Sequence, residues 1–416
     1  MVARAVITLV LVTVLIGYTL IAAYNVQKQL IAHGIIKKTE TQNPLANVLE
    51  GVRRTASIAG PAFAIATITA VATLTVIRSR RILGIIPFKD VRRHLMILGS
   101  TGSGKTTIAK DIVRRAVGEN VKVTILDWKG EYVDHIRGAA VIRKTNLWDV
   151  GGRSSAEKAV IAVEMLREVT RDIADVSSAS ATLLLKELAR LYREKGIPST
   201  KDVVDRVDRF MQTALTERRL AEANMAAAIL RRLYWLQIDE ERSDQNIHGS
   251  PDVVVYDLSS TGSNYLKTLY SLAILSRKYY EALRRGPVDG LAEVIVSEEC
   301  QNYVRGRRFD DPPSIGERIV NELRSYGVGV LLITPDPIQI PWHMARDVGA
   351  LIAIGSQALP DFIEQMRHRY SRRGLETLGK TNSTYIFHRG KLTTIHFKPR
   401  PQKPITLKVA EVPIGA

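Results

Sequence analysis

Gly99-Ser100-Thr101-Gly102-Ser103-Gly104-Lys105-Thr106 decides how this chain folds. The five residues before it, His94 to Leu98 (HLMIL), read as a short buried strand. After it, Thr107-Ile108-Ala109 opens a helix whose apolar positions continue at Ile112, Val113 and Ala116. Strand, G-x-x-x-x-G-K-T, then helix is the context in which a glycine-rich turn cradles phosphate. The glycines let backbone N–H groups curl around the β- and γ-phosphates, and the helix N-terminus adds its partial positive charge. Lys105 supplies a point charge, and Thr106 supplies a hydroxyl ligand for Mg²⁺. The cofactors read from this stretch are ATP and Mg²⁺. The residues assigned to the nucleotide are Gly99, Ser100, Thr101, Gly102, Ser103, Gly104, Lys105, Thr106 and Thr107.

Such a site needs an acidic element to hold the metal and polarise water. Ala292 to Ser297 (AEVIVS) is an apolar strand followed by Glu298-Glu299. Glu298 is assigned, with Thr106, to the metal, and Glu299 to the proton of the attacking water. The alternative is an exposed acidic turn after a strand. Val121 to Leu126 (VKVTIL) is another strand, ending in Asp127-Trp128-Lys129-Gly130-Glu131-Tyr132. A charged cluster at a strand's carboxyl end is where α/β sheets build sites, which places Asp127 with the nucleotide. A solvated turn is the alternative. Val253 to Tyr256, Val328 to Thr334 and Leu351 to Ile354 are further apolar runs. Strands alternating with helical stretches indicate an α/β fold with a mostly parallel sheet covered on both faces.

The chain has 416 residues, 45% hydrophobic, which is enough for two or three domains with a real core and excludes disorder as the default. Its single cysteine, Cys300, excludes an intrachain disulfide and reads as a small buried side chain. The net charge of +17 favours an acidic partner, nucleic acid or an anionic membrane. Residues 5–24 and 55–77 carry no charge, and about 20 helical residues span the hydrocarbon core of a bilayer. For the first run the alternative is a cleaved signal peptide, and for the second a buried soluble helix. Arg78, Arg80 and Arg81 put the end of the second run in the cytoplasm, whereas Lys28, Lys37, Lys38, Arg53 and Arg54 argue the other way. Access to ATP decides for a hairpin in the cell membrane, with two spans and the ATPase domain cytoplasmic.

With these residues in hand, the chain resembles the HerA–FtsK superfamily of ATP-driven pumps. LGSTGSGKTT followed by LDWKGEY resembles the family's GxTGSGKS…DxKGEY. VIVSEECQNYV resembles its DEAHNY strand, and ELRSYGVGVLLITPDPIQIP its RKYG…SQRP segment. The resemblance covers about residues 90–150 and 250–398. It implies a RecA-like P-loop motor, a homo-hexameric ring, a polymer threaded through the pore, and Arg324 acting across the subunit boundary as an arginine finger. Two departures stand out. Glu298 takes the place of the usual Asp, and Pro335 takes the place of the sensor glutamine, leaving Thr334 as the nearest polar side chain. Two spans before the motor look like type IV secretion coupling proteins and archaeal Ced-type DNA-import ATPases.

The organisation expected is a transmembrane hairpin over 1–81, a RecA-like ATPase domain over 82–152 and 251–398, a helical insertion over 153–250, and an extended tail over 399–416. Within the insertion, Ser154 with Glu157 and Ser199 with Asp202 are helix-start signals. Val203, Val204, Val207, Phe210, Met211 and Ala214 follow at helical spacing and read as core. Pro399, Pro401 and Pro404 make the tail extended, lying on a neighbouring subunit. No basic run is interleaved with aromatics, so sequence-independent DNA binding is expected rather than base readout. The function expected is a Mg-dependent ATPase that translocates DNA across or along a membrane, together with a membrane channel or transfer-machinery partner. A secretion or pilus-assembly ATPase acting on protein and a nucleotide-gated channel scaffold are the alternatives.

Overall fold

Short apolar runs become strands here because helices cover both faces of the sheet they form. The computed structural model describes residues 81–143, 145–170, 177–240, 250–304, 313–335, 340, 342–355, 384–400 and 402–407. Both uncharged runs of the expected hairpin lie outside these residues. Among the described residues no helix is long and apolar enough to cross a membrane. Residues up to Gly84 form a separate unit, and everything below concerns the unit from Ile85 onward.

The main sheet has nine strands among the described residues: β1 (Leu95–Gly99), β2 (Lys122–Asp127), β3 (Ala139–Ile142), β4 (Ser250–Asp257), β5 (Glu293–Ser297), β6 (Val328–Thr334), β7 (Ala350–Ile354), β8 (Thr384–His388) and β9 (Lys391–Ile395). Their spatial order is β9-β8-β7-β1-β6-β5-β2-β4-β3. Strands β1 to β7 run parallel, whereas β8 and β9 add an antiparallel hairpin at one edge. Every residue of β1, β5, β6 and β7 is buried, which is why these stretches read as continuous apolar runs. The six strands read from sequence are present with ends shifted by a few residues. Strand β3 and the hairpin escaped that reading. The hairpin turns on Arg389 (φ 49°) and Gly390 (φ 73°). Two left-handed residues make the type I′ geometry that suits a two-residue hairpin, but Arg-Gly is a weaker signal for it than Asn-Gly.

Between β1 and β2 lies α1 (Lys105–Gly118), which buries Ile108, Ala109, Ile112, Val113 and Ala116. Between β3 and β4 lie α2 (Ser155–Thr170), α3 (Ser178–Lys195), α4 (Thr200–Thr216) and α5 (Leu220–Glu240). Helix α6 (Asn264–Arg285) leads to β5, and α7 (Ile315–Glu322) to β6. Ser199 and Asp202 form a full capping box at α4, satisfying two otherwise orphaned N–H groups. At α2 the Ser154 hydroxyl accepts from the Glu157 N–H, and the Glu157 carboxylate reaches back to the Arg153 N–H. Val203, Val204, Val207 and Ala214 are buried as their spacing predicts, while Phe210 and Met211 pack half-buried on the same core. That core is continuous from Met96 and Leu98 of β1, through α6, to the inner faces of α2–α5. Polar bonds fasten the helices to the loop after β3. Trp148 Nε1 donates to Thr200 Oγ1 at 2.9 Å, and the Tyr192 hydroxyl donates to the Trp148 carbonyl at 2.7 Å.

The described part of the tail folds back on its own chain. Ile405–Thr406 pairs in parallel with Ile136–Arg137, and Arg114 donates to the Lys403 carbonyl.

His94, at the entry to β1, ties that strand to β6. Its Nδ1 accepts the Val330 N–H at 3.1 Å, and burial holds the imidazole down to about 4. In the unfolded chain it titrates near ~6.5. Below that pH the unfolded state takes up a proton that the folded state refuses. The stabilisation is therefore intact above pH ~6.5 and is lost as pH falls toward ~4. Between pH 7 and 4.5, denaturant midpoints are expected to show a His94→Asn variant losing roughly 2 kcal/mol less stability than the parent protein.

Candidate active site

Parallel pairing brings the carboxyl ends of four strands to one edge. Leu98 of β1 stands opposite Thr334 of β6, Leu332 of β6 opposite Ser297 of β5, and Ser297 opposite Leu126 of β2. The glycine-rich loop leaves β1 there and enters α1 at Lys105. No side chain caps the first turn of α1, and no acidic residue sits in it, so the positive end of the helix dipole is uncompensated. Lys105 Nζ donates to the carbonyls of Gly99 (2.8 Å) and Ser100 (3.0 Å). Burial, then the charge of Lys129, holds the Lys105 ammonium below its ordinary value. The Ser103 hydroxyl is buried within the loop without a partner. Gly104 has φ +100°, and a Cβ there would meet Pro399 Cβ at 2.9 Å, so the position needs glycine on two counts.

The two glutamates after β5 face different surroundings. Glu298 is 3% exposed, and the Thr106 hydroxyl lies 3.3 Å from its Oε1. Burial, then the negative charges of Asp127 and Glu131, pushes Glu298 up to about 8. A carboxyl crowded by carboxylates beside a threonine hydroxyl suits a divalent cation, whose charge would reverse that balance. Among the described residues no group of three or more His, Cys, Asp or Glu side chains gathers to hold an ion. The donor set of Thr106 and Glu298 fits Mg²⁺ with a triphosphate.

Glu299 departs from helical or extended backbone, at φ 48° and ψ 39°, a left-handed conformation that a glutamate holds only under constraint. Its Oε1 lies 2.6 Å from Lys129 Nζ, and its Oε2 accepts from Gln301 Nε2 at 2.7 Å. Burial opposes the charge, but these two bonds outweigh it and hold Glu299 below the usual carboxylate range. Adjacent carboxyls driven in opposite directions are the signature of divided roles. Tyr303 braces the segment, since its hydroxyl donates to the Glu298 carbonyl at 3.0 Å and its ring stacks on Trp128. Cys300 is fully buried, and burial raises its thiol, as expected for an inert small side chain.

Asp127, expected with the nucleotide, has both carboxylate oxygens bonded to backbone. Its Oδ1 accepts the N–H groups of Lys129, Gly130 and Glu131, and its Oδ2 that of Tyr132. The carboxylate folds the turn, and the turn delivers Lys129 to Glu299. Lys129 and Gln301 are thus the site residues that assignment by motif passed over. Lys129 was visible inside DWKGEY, whereas Gln301 carried no signal of its own. Arg324 is exposed at the opposite edge, immediately before β6. Seven strand residues of β6 separate it from the loop's edge, roughly 20 Å. Arg92 Nε donates to the Arg324 carbonyl at 2.8 Å. Pro335 follows β6 directly, half-buried, so the sensor position beside the loop offers only the buried Thr334.

Residues 80–277 match the sequence pattern of the family described as "Helicase HerA, central domain". In fold the chain is similar to VirB4 of Thermoanaerobacter pseudethanolicus, with a TM-score of 0.58 at 18% identity over 74% of this chain and 90% of that one. It is also similar to the bacterial conjugative coupling protein TrwB in complex with sulphate, with a TM-score of 0.57 at 14% identity over 77% and 88%. TrwB in complex with the non-hydrolysable ATP analogue ADPNP gives 0.54 at 13% identity over 77% and 88%. No protein of curated function matches. The resemblance carried by motifs is thus joined by the HerA central-domain pattern over residues 80–277 and, in fold alone, by VirB4 and TrwB.

The Asp127 turn is open to a direct test. Replacing Asp127 by Ala strands four N–H groups, one of them fully buried, and is expected to cost about 3 kcal/mol or more in the denaturant midpoint. Asp127→Asn, which keeps one acceptor oxygen, is expected to lose less.

Proposed function

We propose that this protein is a Mg-dependent ATPase whose copies form a ring, a reading that rests on where Arg324 stands. Lys105, Thr106, Glu298 and Glu299 share one edge of the sheet, and Arg324 is exposed at the other, roughly 20 Å away. An arginine so placed is out of reach of its own subunit's nucleotide, which supports the reading that it serves a neighbour's. That separation supports a ring, with a homo-hexamer as the assembly, in which each subunit completes the next one's site.

Bound Mg²⁺ would draw charge from the phosphates and be held by Thr106 and Glu298. The protein's own residues account for the rest. Lys105 exchanges its loop carbonyls for phosphate oxygens. Lys129 stands between Glu299 and the site. While it grips Glu299 Oε1, both oxygens of that carboxylate are engaged and neither is free to take a proton. A γ-phosphate near Lys105 attracts the Lys129 ammonium as well, which frees Oε1 to accept the proton of an attacking water. Hydrolysis is thereby confined to the occupied site.

The substrate proposed is DNA, bound without regard to sequence. The HerA match, the similarity to a conjugative coupling protein and the net charge of +17 support it. The uncharged runs at 5–24 and 55–77 support anchoring in the cell membrane, with a channel or transfer-machinery partner there.

The test is ATP hydrolysis by the purified protein with and without single- and double-stranded DNA. Activity is expected to rise with DNA and to lose that stimulation steeply as salt increases. Lys105→Ala is expected to abolish it, and Glu299→Gln to bind ATP without turning it over. Arg324→Ala subunits are expected to be inactive alone and to poison mixed rings. Unstimulated, salt-insensitive hydrolysis would sink the DNA reading. Full activity in an Arg324→Ala preparation would sink the shared site.

A further inference from the structure

Helix α7 runs directly into the single tight turn Leu323–Tyr326 that carries Arg324. Among the described residues no hydrogen bond or ion pair holds the Arg324 side chain, so the backbone of that turn fixes where it stands. The backbone is gripped from several sides. Arg92 donates to the Arg324 carbonyl, Arg285 Nη2 to the Tyr326 carbonyl at 2.9 Å, and the Val288 N–H to the Ser325 carbonyl at 3.2 Å. The Ser325 hydroxyl donates to the Glu322 carbonyl at 3.1 Å. Glu322 is the last residue of α7, and the Tyr279 hydroxyl of α6 donates to its carboxylate.

Tyr280 repeats the arrangement one residue on. Its hydroxyl donates to the Glu157 carboxylate at 2.8 Å, and Glu157 is the residue that reaches back to cap α2 of the insertion. One guanidinium joins the two arms. Arg318 Nη2 donates to the Tyr279 hydroxyl at 3.0 Å, and the guanidinium also bonds the Tyr280 hydroxyl. It lies 4.4 Å from the centre of the Tyr279 ring, within cation–π range. Each hydroxyl thus accepts from Arg318 and donates its one proton to a glutamate. Both tyrosines are almost wholly buried, so these bonds have little water to compete with. Burial, then the glutamate at each hydroxyl, raises both phenols, that of Tyr280 to about 12, and keeps them protonated as donors. Bonds of this kind weaken steeply with distance and angle, so a small shift of α2 is felt where apolar packing would slide.

Resting on the reading of Arg324 given above, we infer that Arg318 is a positioning residue: with Tyr279 and Tyr280 it ties the Arg324 turn to helix α2, so that a contact made by the insertion sets how firmly Arg324 is presented to the neighbour's nucleotide. Arg318 and the two tyrosines act through the turn and not on the nucleotide.

The experiment uses the full-length protein with Tyr279→Phe or Tyr280→Phe, each of which removes one hydroxyl and keeps the ring in its packing. Two quantities are read. One is steady-state ATP hydrolysis. The other is the mobility of a nitroxide attached at Arg324→Cys, with a nitroxide at the exposed Lys391→Cys as reference. The native Cys300 is fully buried and stays unlabelled. Either variant is expected to lower kcat about tenfold with KM for ATP unchanged, as for one lost bond to a charged group. Either is also expected to loosen the nitroxide at 324 and not that at 391. Arg318→Lys keeps the charge but loses the fork, and is expected to reproduce both effects. Glu157→Gln keeps an acceptor for Tyr280 and is expected to retain most of the parent kcat. An unmoved nitroxide at 324 overturns the inference. A raised KM with loosening at both labels assigns the tyrosines a merely structural role and overturns it as well. Loosening at 324 alone with full kcat means that the turn is held but does no work. That result sinks the shared site, and the role of Arg318 with it, and is distinct from failure of the clasp.

Discussion

Parallel register between β1, β6, β5 and β2 is the constraint on which everything else in this molecule rests. Because β6 lies between β1 and β5, the glycine-rich loop and the acids Glu298 and Glu299 are separated by one strand's width. Neighbouring strands sit about 4.8 Å apart, so β1 and β5 stand roughly 10 Å from each other. That gap leaves room for a phosphate chain between Lys105 and Glu299. One residue of slip in β6 would exchange its two buried faces and move Thr334 off the loop's edge. The backbone bond to His94, placed at the foot of β1, resists that slip.

Charge within the site is arranged as an unresolved conflict. Lys105 and Lys129 lie among Asp127, Glu131, Glu298 and Glu299, and the partners are mismatched. Asp127 is spent on backbone N–H groups, Glu298 has no cation in contact, Lys105 is bonded to carbonyls, and only Lys129 and Glu299 form an ion pair. An anion with its cation resolves these mismatches together, giving phosphate to the lysines and metal to Glu298. The site is thus more comfortable occupied than empty, as expected of a protein that spends stability on function rather than on packing.

Much of this could be read from the sequence, because the informative features are local. A strand, a glycine-rich turn and a helix lie within one stretch, and buried parallel strands announce themselves as apolar runs. The acids were legible for the same reason, each at the end of such a run. Local reading failed wherever meaning came from distance. Asp127 reads as a charged group at a strand's end, but its four hydrogen bonds go to a turn whose shape no motif states. Gln301 acquires its role only from the left-handed backbone at Glu299. Nothing in the Asp134-His135-Ile136 segment foretells that residues some 270 positions later will close over it. Strands β8 and β9 were missed because Arg-Gly is a poor advertisement for a hairpin turn. They are held instead by a hydrogen bond between His388 and the buried Asp90 and an ion pair from Arg389 to the same carboxylate.

The pairing of Ile405 with Ile136 also has a consequence for synthesis. A ribosome finishes the phosphate-type loop early, but Phe397 and Pro399, which lie against Gly104, are among the last described residues to emerge. Loop closure over so long a stretch is slow and comes after the intervening helices have folded. For most of its time on the ribosome, the nascent chain therefore presents Gly104 without the two side chains that cover it, and the loop reaches its final packing only late in synthesis.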